Sequence, residues 1–236
     1  MSREDMEHGP PRWSPLIWGS SVFLACSLLL LARCLYWPVV LKYPWPSRKA
    51  ELLRSGEEPR RVLFAGSFNP PHHGHLAMLR YLAQRYNEVI VVVGVNPDKK
   101  YLVSPVERAA IIKQIVDKEK VQGKVRVEVV SGYIWRFAMK EKVSIMFRGI
   151  RSWEKDGGEE RFLYFLNLCG PILLGPLKWP LPTYFLEGKP EYNHVSSTLI
   201  RNLCAEGRSK GKMPDLSEFV PKSVSSRVGA AYSKTE

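Results

Sequence analysis

Hydrophobic positions after residue 60 follow two alternating periodicities. Short apolar runs, typical of buried strands, occupy residues 61–65, 88–95, 124–130, 143–147 and 183–186. Between them, apolar residues recur every three or four positions, which predicts helices over 75–86, 105–115, 134–141 and 159–168, and another from residue 197. This alternation predicts an α/β fold, a parallel sheet with helices on both faces.

Local sequence signals predict the start of one helix and the position of one loop. Ser104, Pro105 and Glu107 supply an N-cap, a first-turn proline and a capping-box acid, so a helix should begin there. Residues 169–176 are apolar but contain glycine and proline, and we predict a loop that joins the core. The alternative for this loop is exposure and contact with lipid.

The first sixty residues have a different pattern. Residues 13–32 carry no charged side chain, and a helix of that length is about 30 Å long, the thickness of a bilayer's hydrocarbon core. Apolar residues continue to 41, and prolines follow. We therefore divide the chain into an N-terminal tail (1–12), a membrane segment that contains a transmembrane helix (13–41), a linker (42–60), a domain (61–230) and a C-terminal tail (231–236).

The net charge of +12 lies entirely beyond residue 41. Basic residues after the apolar segment predict a single-pass membrane protein whose domain faces the cytosol. The acids Glu4, Asp5 and Glu7 disfavour a cleaved signal peptide and a mitochondrial presequence, and an organellar location after leader removal is the alternative.

A basic surface suits phosphorylated small molecules, nucleic acid or anionic lipid. Nucleic acid ranks last because no nucleic-acid motif or aromatic-interleaved basic run is present. Four cysteines without CxxC spacing favour a reducing compartment. The oligomeric state is open, a homo-oligomer included.

The stretch AGSFNPPHHGH at residues 65–75 joins the first strand to the first helix. A glycine-rich turn before a helix start can bind an anion, because the first backbone N–H groups lack partners. His72 and His75 are three apart, so both rings can point toward one bound group. Two imidazoles without cysteine or carboxylate partners make a poor zinc site, so no metal ligand is assigned. When this stretch is considered by itself, the alternative interpretation is a plain turn that binds no anion.

Three further stretches follow predicted strands or open predicted helices: NPDKK at 96–100, RGIR at 148–151 and VSSTLIR at 195–201. Together they offer a lysine, arginines, hydroxyls and a helix N-terminus, the groups that a polyphosphate needs. Lys100 and Lys155 are interpreted as solvated charges.

These motifs, in this order, resemble those of phosphopantetheine adenylyltransferase, a family of the (Thr/His)-x-Gly-His nucleotidyltransferases, over residues 61–230. The resemblance implies a Rossmann-like fold and transfer of an adenylyl group from ATP to 4′-phosphopantetheine, giving dephospho-coenzyme A and pyrophosphate in coenzyme A biosynthesis. It also implies Mg²⁺ bridging the phosphates, and in-line attack without a covalent intermediate.

The resemblance also assigns roles to individual residues. Catalytic positions are His75, His72, Lys99 and Arg148. ATP-binding positions are Ser67, Phe68, His75, Gly149, Ile150, Arg151, Glu159, Tyr192, Ser196, Ser197 and Thr198. Acceptor-binding positions are Ser67, Lys99, Ile134 and Arg148.

Two departures keep the acceptor open. Asn69 stands where the family usually has aspartate, and residues 153–158 replace the usual acidic, aromatic run. The stretch around Asn69 also resembles nicotinate mononucleotide adenylyltransferase. The alternatives are therefore transfer to nicotinate mononucleotide, transfer from CTP to a phospholipid headgroup precursor, or a membrane-tethered protein that binds nucleotide without turnover.

Overall fold

The computed structural model describes residues 24–29, 38–46, 60–95, 100–175 and 181–234. The chain divides into two compact units, residues 1–38 and residues 39–236. In the first unit the described part comprises a helical stretch at 24–29 and Pro38. The second unit contains the α/β domain.

The second unit is built on a six-stranded sheet in which all neighbouring strands are parallel. The strands are β1 (Val39–Leu41), β2 (Arg61–Gly66), β3 (Glu88–Val95), β4 (Lys124–Ser131), β5 (Ile145–Ile150) and β6 (Thr183–Glu187). Their order is β1-β6-β5-β2-β3-β4. The chain leaves β2 toward β3 on one side and reaches β5 on the other, so the loop after Gly66 lies at a switch point, where ligands bind in such sheets.

Helices cover both faces of the sheet, as predicted. They are α1 (His73–Ala83), α2 (Pro105–Lys118), α3 (Ile134–Lys140), α4 (Trp153–Leu173), α5 (Ser197–Ser209) and α6 (Lys222–Tyr232), with a 3₁₀ turn at Pro190–Tyr192. Alternate residues of β2 enter different cores: Val62 and Phe64 pack with α1, α2, α5 and α6, whereas Leu63 and Ala65 pack on the α3 side.

The predicted start of α2 is confirmed. Ser104 is its N-cap, and its side chain accepts a hydrogen bond from the amide of Glu107 at 3.1 Å. Pro105 occupies the first turn, where its missing N–H costs no intrahelical bond.

Helix α4 corrects the prediction of a loop at 169–176. It begins at Trp153, with Ser152 as N-cap, and continues through Pro171 to Leu173. Gly170 packs so closely on α3 that a Cβ there would lie 2.4 Å from Nε1 of Trp135. Gly170 and Pro171 thus lie in the last turns of a helix that packs against Trp135. Gly170 and Pro171 are buried, but Leu173 is 72% exposed, so the expected core position holds for only part of the stretch.

The N-terminal prediction is also corrected. Among the described residues there is no helix with the length and apolar character needed to cross a bilayer, so the predicted transmembrane helix and membrane location are not upheld. The last part of the predicted segment is β1, whose apolar residues pair with β6 at the sheet edge. Residues 13–23 and 30–37 lie outside the described residues.

The C-terminal end differs as well. Helix α6 extends to Tyr232, past the expected start of the tail at residue 231. The Tyr232 side chain is 1% exposed and belongs to the core.

Candidate active site

A cleft of about 400 Å³ opens at the carboxyl edge of the sheet. Its walls come from the β2–α1 connection, the end of β5 with the start of α4, the loop after β6 and the start of α5. The cleft brings together these predicted site residues: Ser67, His72, His75, Gly149, Ile150, Arg151, Tyr192, Ser196, Ser197 and Thr198.

The loop at residues 67–70 is held from behind by donors on distant helices. The guanidinium of Arg108, on α2, donates to the carbonyl oxygen of Ser67. The hydroxyl of Ser197, at the start of α5, donates to the carbonyl oxygen of Pro70 at 2.8 Å. These bonds fix the loop backbone, so the exposed Ser67 side chain is presented to the cleft from a rigid base.

Asn69 is buried within the same support. Arg201, on α5, donates to its carbonyl oxygen, and Tyr232, on α6, donates to its Oδ1 atom at 2.8 Å. Asn69 is not among the residues that line the cleft. Its side chain therefore serves the loop's attachment to the last helix.

Phe68 packs beneath the loop. It has a φ of +45°, in the left-handed region that a bulky residue rarely adopts. Its ring is 2% exposed and lies 4.9 Å from the His75 ring, edge to face. Phe68, a predicted ATP-binding residue, is not among the residues that line the cleft. Its side chain packs against the ring of His75 and supports it.

His75 lies in the first turn of α1, where its Nδ1 atom accepts a hydrogen bond from the backbone amide of His72 at 3.3 Å. Because Nδ1 accepts, the neutral ring carries its proton on Nε2. Desolvation within the protein lowers the pKa of His75 to about 4. At neutral pH, His75 is therefore a neutral donor beside the cleft.

His72 is the N-cap residue of α1, and its ring lies 3.8 Å from that of His75, centroid to centroid. Desolvation lowers the pKa of His72 well below its ordinary value, and the charges of His75, His73 and Arg151 lower it further. Two imidazolium ions so close together would repel each other. The pair is consequently neutral near pH 7 and can hydrogen-bond without adding a full charge.

The side chain of Met78, on α1, packs directly over Gly149, on β5. A Cβ at Gly149 would lie 2.6 Å from the sulfur of Met78, and both residues line the cleft. A larger residue at 149 would therefore require the Met78 side chain to shift.

The two arginines of the RGIR stretch are paired with acids on α4. Arg148 makes a two-pronged pair with Glu160, with Nη2 to Oε1 at 2.9 Å. Arg151 pairs with Asp156, with Nε to Oδ1 at 3.1 Å. Both acids line the cleft, and neither was predicted from the sequence. Asp156 precedes the predicted helix at 159–168, so the shared helical face of the two acids was not apparent before α4 was seen to begin at Trp153.

The start of α5 faces the same cleft. The Ser196 side chain caps the helix by accepting a hydrogen bond from the amide of Leu199 at 3.1 Å, as expected of a hydroxyl cap. Ser197 and Thr198 occupy the first turn and also line the cleft. The partial positive charge of this helix N-terminus therefore adds to the positive charge of Arg151, which lines the same cleft.

Several predicted site residues are not placed in the cleft. Lys99 lies outside the described residues, as does the side chain of Glu159. Ile134 lies near the end of β3, where a Cβ added at Gly94 would be 3.4 Å from its Cδ1 atom. Ile134 and Arg148 are both absent from the cleft lining. Lys155, interpreted from the sequence as a solvated charge, is exposed and lies at the cleft.

Fold and cleft together define a nucleotide-binding α/β protein, because a switch-point loop, two helix starts and Arg151 line one cleft at the carboxyl edge of a parallel sheet. Residues 63–203 match the family described as Cytidylyltransferase-like. The chain therefore belongs to the cytidylyltransferase-like family and is a nucleotidyltransferase, which confirms the predicted class of enzyme.

Individual proteins are similar to this chain over nearly their whole length. The chain is 31% identical over 176 residues to the phosphopantetheine adenylyltransferase of Chromobacterium violaceum, covering 74% of this chain and 99% of the relative. It is 30% identical over 173 residues to that of Borreliella burgdorferi, covering 73% and 98%. A solved structure, Plasmodium falciparum nicotinic acid mononucleotide adenylyltransferase complexed with NaAD, matches at 14% identity and a TM-score of 0.48, covering 74% of this chain and 94% of that one.

Proposed function

We propose that this nucleotidyltransferase transfers the adenylyl group of ATP to 4′-phosphopantetheine, forming dephospho-coenzyme A and pyrophosphate. The observation that carries the proposal is the similarity to phosphopantetheine adenylyltransferases over nearly their whole length. The cleft supports it, because it holds the groups that recognise polyphosphate along two helix starts.

The reaction is a single in-line displacement. An oxygen of the acceptor's phosphate attacks the α-phosphorus of ATP, the bond between that phosphorus and the bridging oxygen breaks, and pyrophosphate leaves with the oxygen. No side chain needs to form a covalent bond. The protein contributes position and electrostatic stabilisation of the charge that develops on the α-phosphate.

His75 is the residue we assign to that stabilisation. Its neutral ring has its proton on Nε2, since Nδ1 already accepts from the amide of His72. A neutral donor can hydrogen-bond to a phosphoryl oxygen without transferring its proton. The anionic phosphates would in turn raise the pKa of His75 from about 4 and strengthen this bond as charge accumulates.

We assign the nucleotide phosphates to the side of the cleft formed by Arg151 and the first turn of α5, where Ser196, Ser197 and Thr198 lie. Arg148 is assigned to the acceptor's phosphate. Glu160 accepts from Nε and Nη2 of Arg148, two of the three guanidinium nitrogens, so an incoming phosphate would share or replace that carboxylate.

Magnesium would be carried mainly by the substrate. The described part of the chain contains no group of three or more histidine, cysteine, aspartate or glutamate side chains placed to hold a metal ion. Asp156 and Glu160 are already paired with arginines. This donor set fits Mg²⁺ bound through ATP phosphates and water, where the ion neutralises phosphate charge.

A pyrophosphate-release assay tests the proposal. Wild-type protein with ATP should release pyrophosphate only when 4′-phosphopantetheine is added, and His75→Ala should abolish release. The matched control is His194→Ala, because His194 is an exposed histidine outside the cleft lining. Release that requires nicotinate mononucleotide, or CTP with a phospholipid headgroup precursor, would overturn the proposed substrates.

A further inference from the structure

Residues 39–46, here called the edge strap, lie before the region that matches the family, and they contact residues next to the walls of the cleft. The strap consists of β1 and the segment that follows it to Pro46. β1 pairs in parallel with β6, with Leu41 opposite Leu186, close to the end of β6 that leads into the cleft.

Trp45 connects the strap to the loop after β6. Its indole Nε1 donates to the carbonyl oxygen of Glu187 at 2.9 Å. The next residue, Gly188, lines the cleft and donates its amide to the carbonyl oxygen of Ile150 at 2.8 Å. Tyr192 and Asn193 line the cleft a few residues further on. The carbonyl that Trp45 holds is thus the last one before this wall of the cleft begins.

The same tryptophan connects the strap to α1. Its ring packs against the Tyr81 ring, with centroids 4.7 Å apart, and the Tyr81 hydroxyl donates to the carbonyl oxygen of Pro46 at 3.4 Å. Tyr81 is one helical turn beyond Met78, which lines the cleft, and two turns beyond His75. Trp45 therefore links the helix that carries His75 to the loop that carries Tyr192.

A second contact supports the loop from the strap. The ammonium of Lys189 lies 5.7 Å from the centre of the Tyr43 ring, and Tyr43 packs edge to face against Trp45 at 5.5 Å. The strap thus holds Glu187 by its backbone and Lys189 by its side chain, on both sides of Gly188.

We infer that the edge strap is a positioning element for the nucleotide: through Trp45 it fixes the distance between α1 and residues 187–193 and thereby sets nucleotide affinity. The inference rests on the nucleotide site proposed above. A strap that only covered the sheet edge would stabilise the fold without affecting binding. If the strap positions the cleft walls, altering it should change the affinity for nucleotide more than it changes kcat.

The experiment compares full-length wild type with Trp45→Phe, which keeps a ring but removes the N–H donor, and Trp45→Ala, which removes both contacts. The control is Val127→Ala, a buried truncation on β4 at the opposite edge of the sheet. Binding of a non-hydrolysable ATP analogue is measured by calorimetry, together with the KM for ATP, kcat and the free energy of unfolding.

Trp45→Phe should weaken binding of the analogue by about fivefold, the factor expected for loss of one ordinary hydrogen bond, and Trp45→Ala by about tenfold or more. The KM for ATP should rise in parallel while kcat stays within about twofold. Val127→Ala should lose stability and keep its affinity. If wild type binds the analogue and both Trp45 variants bind it equally well, the inference is wrong. If wild type does not bind it, the proposed nucleotide site fails first, and the inference with it.

Discussion

Tyr232, in the last helix, donates a hydrogen bond to Oδ1 of Asn69, in the loop that follows the central strand. The two residues are both buried and are 163 positions apart in the sequence. The bond makes the C-terminal helix part of the support for the switch-point loop. Burial raises the pKa of Tyr232 above its ordinary value, so the hydroxyl keeps its proton and remains a donor across the physiological range.

Tyr232→Phe should destabilise the protein by about 1–3 kcal/mol, because the buried Asn69 oxygen would lose its donor without gaining water. Denaturant unfolding measures this change. Tyr133→Phe is the control, since Tyr133 is 43% exposed. Equal stability of wild type and Tyr232→Phe would show that the bond contributes nothing.

Asn69→Asp should leave the choice of acceptor unchanged. The Asn69 side chain faces Tyr232 and does not line the cleft, so its identity cannot directly select a substrate there. Ratios of kcat/KM for 4′-phosphopantetheine and nicotinate mononucleotide measure this choice in wild type and variant. A switch of the preferred acceptor in Asn69→Asp would refute the structural interpretation of this residue.

Arg108 should be needed for activity although it does not line the cleft. It is fully buried, donates to the Ser67 carbonyl and stacks on the Tyr101 ring at 4.3 Å. Lysine lacks the planar donor group, so Arg108→Lys should lower kcat/KM for ATP by about tenfold as Ser67 shifts. Arg208→Lys, at an exposed arginine on α5, controls for the substitution itself. Full activity of Arg108→Lys would contradict the supporting role.

Stability should fall as pH decreases from 6.5 toward 4. The folded pKa of His75, about 4, lies below the unfolded value of 6.5, so the unfolded chain takes up the proton first and is favoured by acid. Between pH 7 and pH 5 this single group should cost roughly 1–2 kcal/mol. The measurement is the free energy of unfolding of wild type minus that of His75→Gln at each pH, which removes the effect of groups that do not interact with His75; the change in its neighbour His72 stays in the difference. A difference independent of pH would exclude the depressed pKa.

Much of the fold could be predicted because its signals are local. The run at Glu88–Val95 is apolar on both faces and forms a central strand with those bounds, and Ser104 and Pro105 define the start of α2. The motif residues of the cleft also follow predicted strands or open predicted helices, which places them at one edge of a parallel sheet.

What could not be predicted depends on contacts between distant residues. Gly170 and Pro171 lie in a helix at a close contact with Trp135 that the local sequence does not show. The carboxylates that pair with Arg148 and Arg151 become visible only when α4 is in place. The hydrogen-bond acceptor of the Trp45 indole is the carbonyl oxygen of Glu187, 142 residues away in the sequence.

Hydropathy misled at the N-terminus because apolar residues suit a sheet edge as well as a bilayer. Val39–Leu41 were assigned to the end of the membrane segment, and they form β1. Period-two alternation cannot show in a strand of only three residues, so the sequence offered no local sign of it.

The central claim is adenylyl transfer to 4′-phosphopantetheine, and identification of the product tests it most directly. Wild-type protein is incubated with ATP, CTP, 4′-phosphopantetheine, nicotinate mononucleotide and phosphocholine together, and the nucleotide products are identified by mass spectrometry. The account predicts that dephospho-coenzyme A is the main product, in amounts equal to the pyrophosphate released. A main product that contains cytidine or a different acceptor would contradict it.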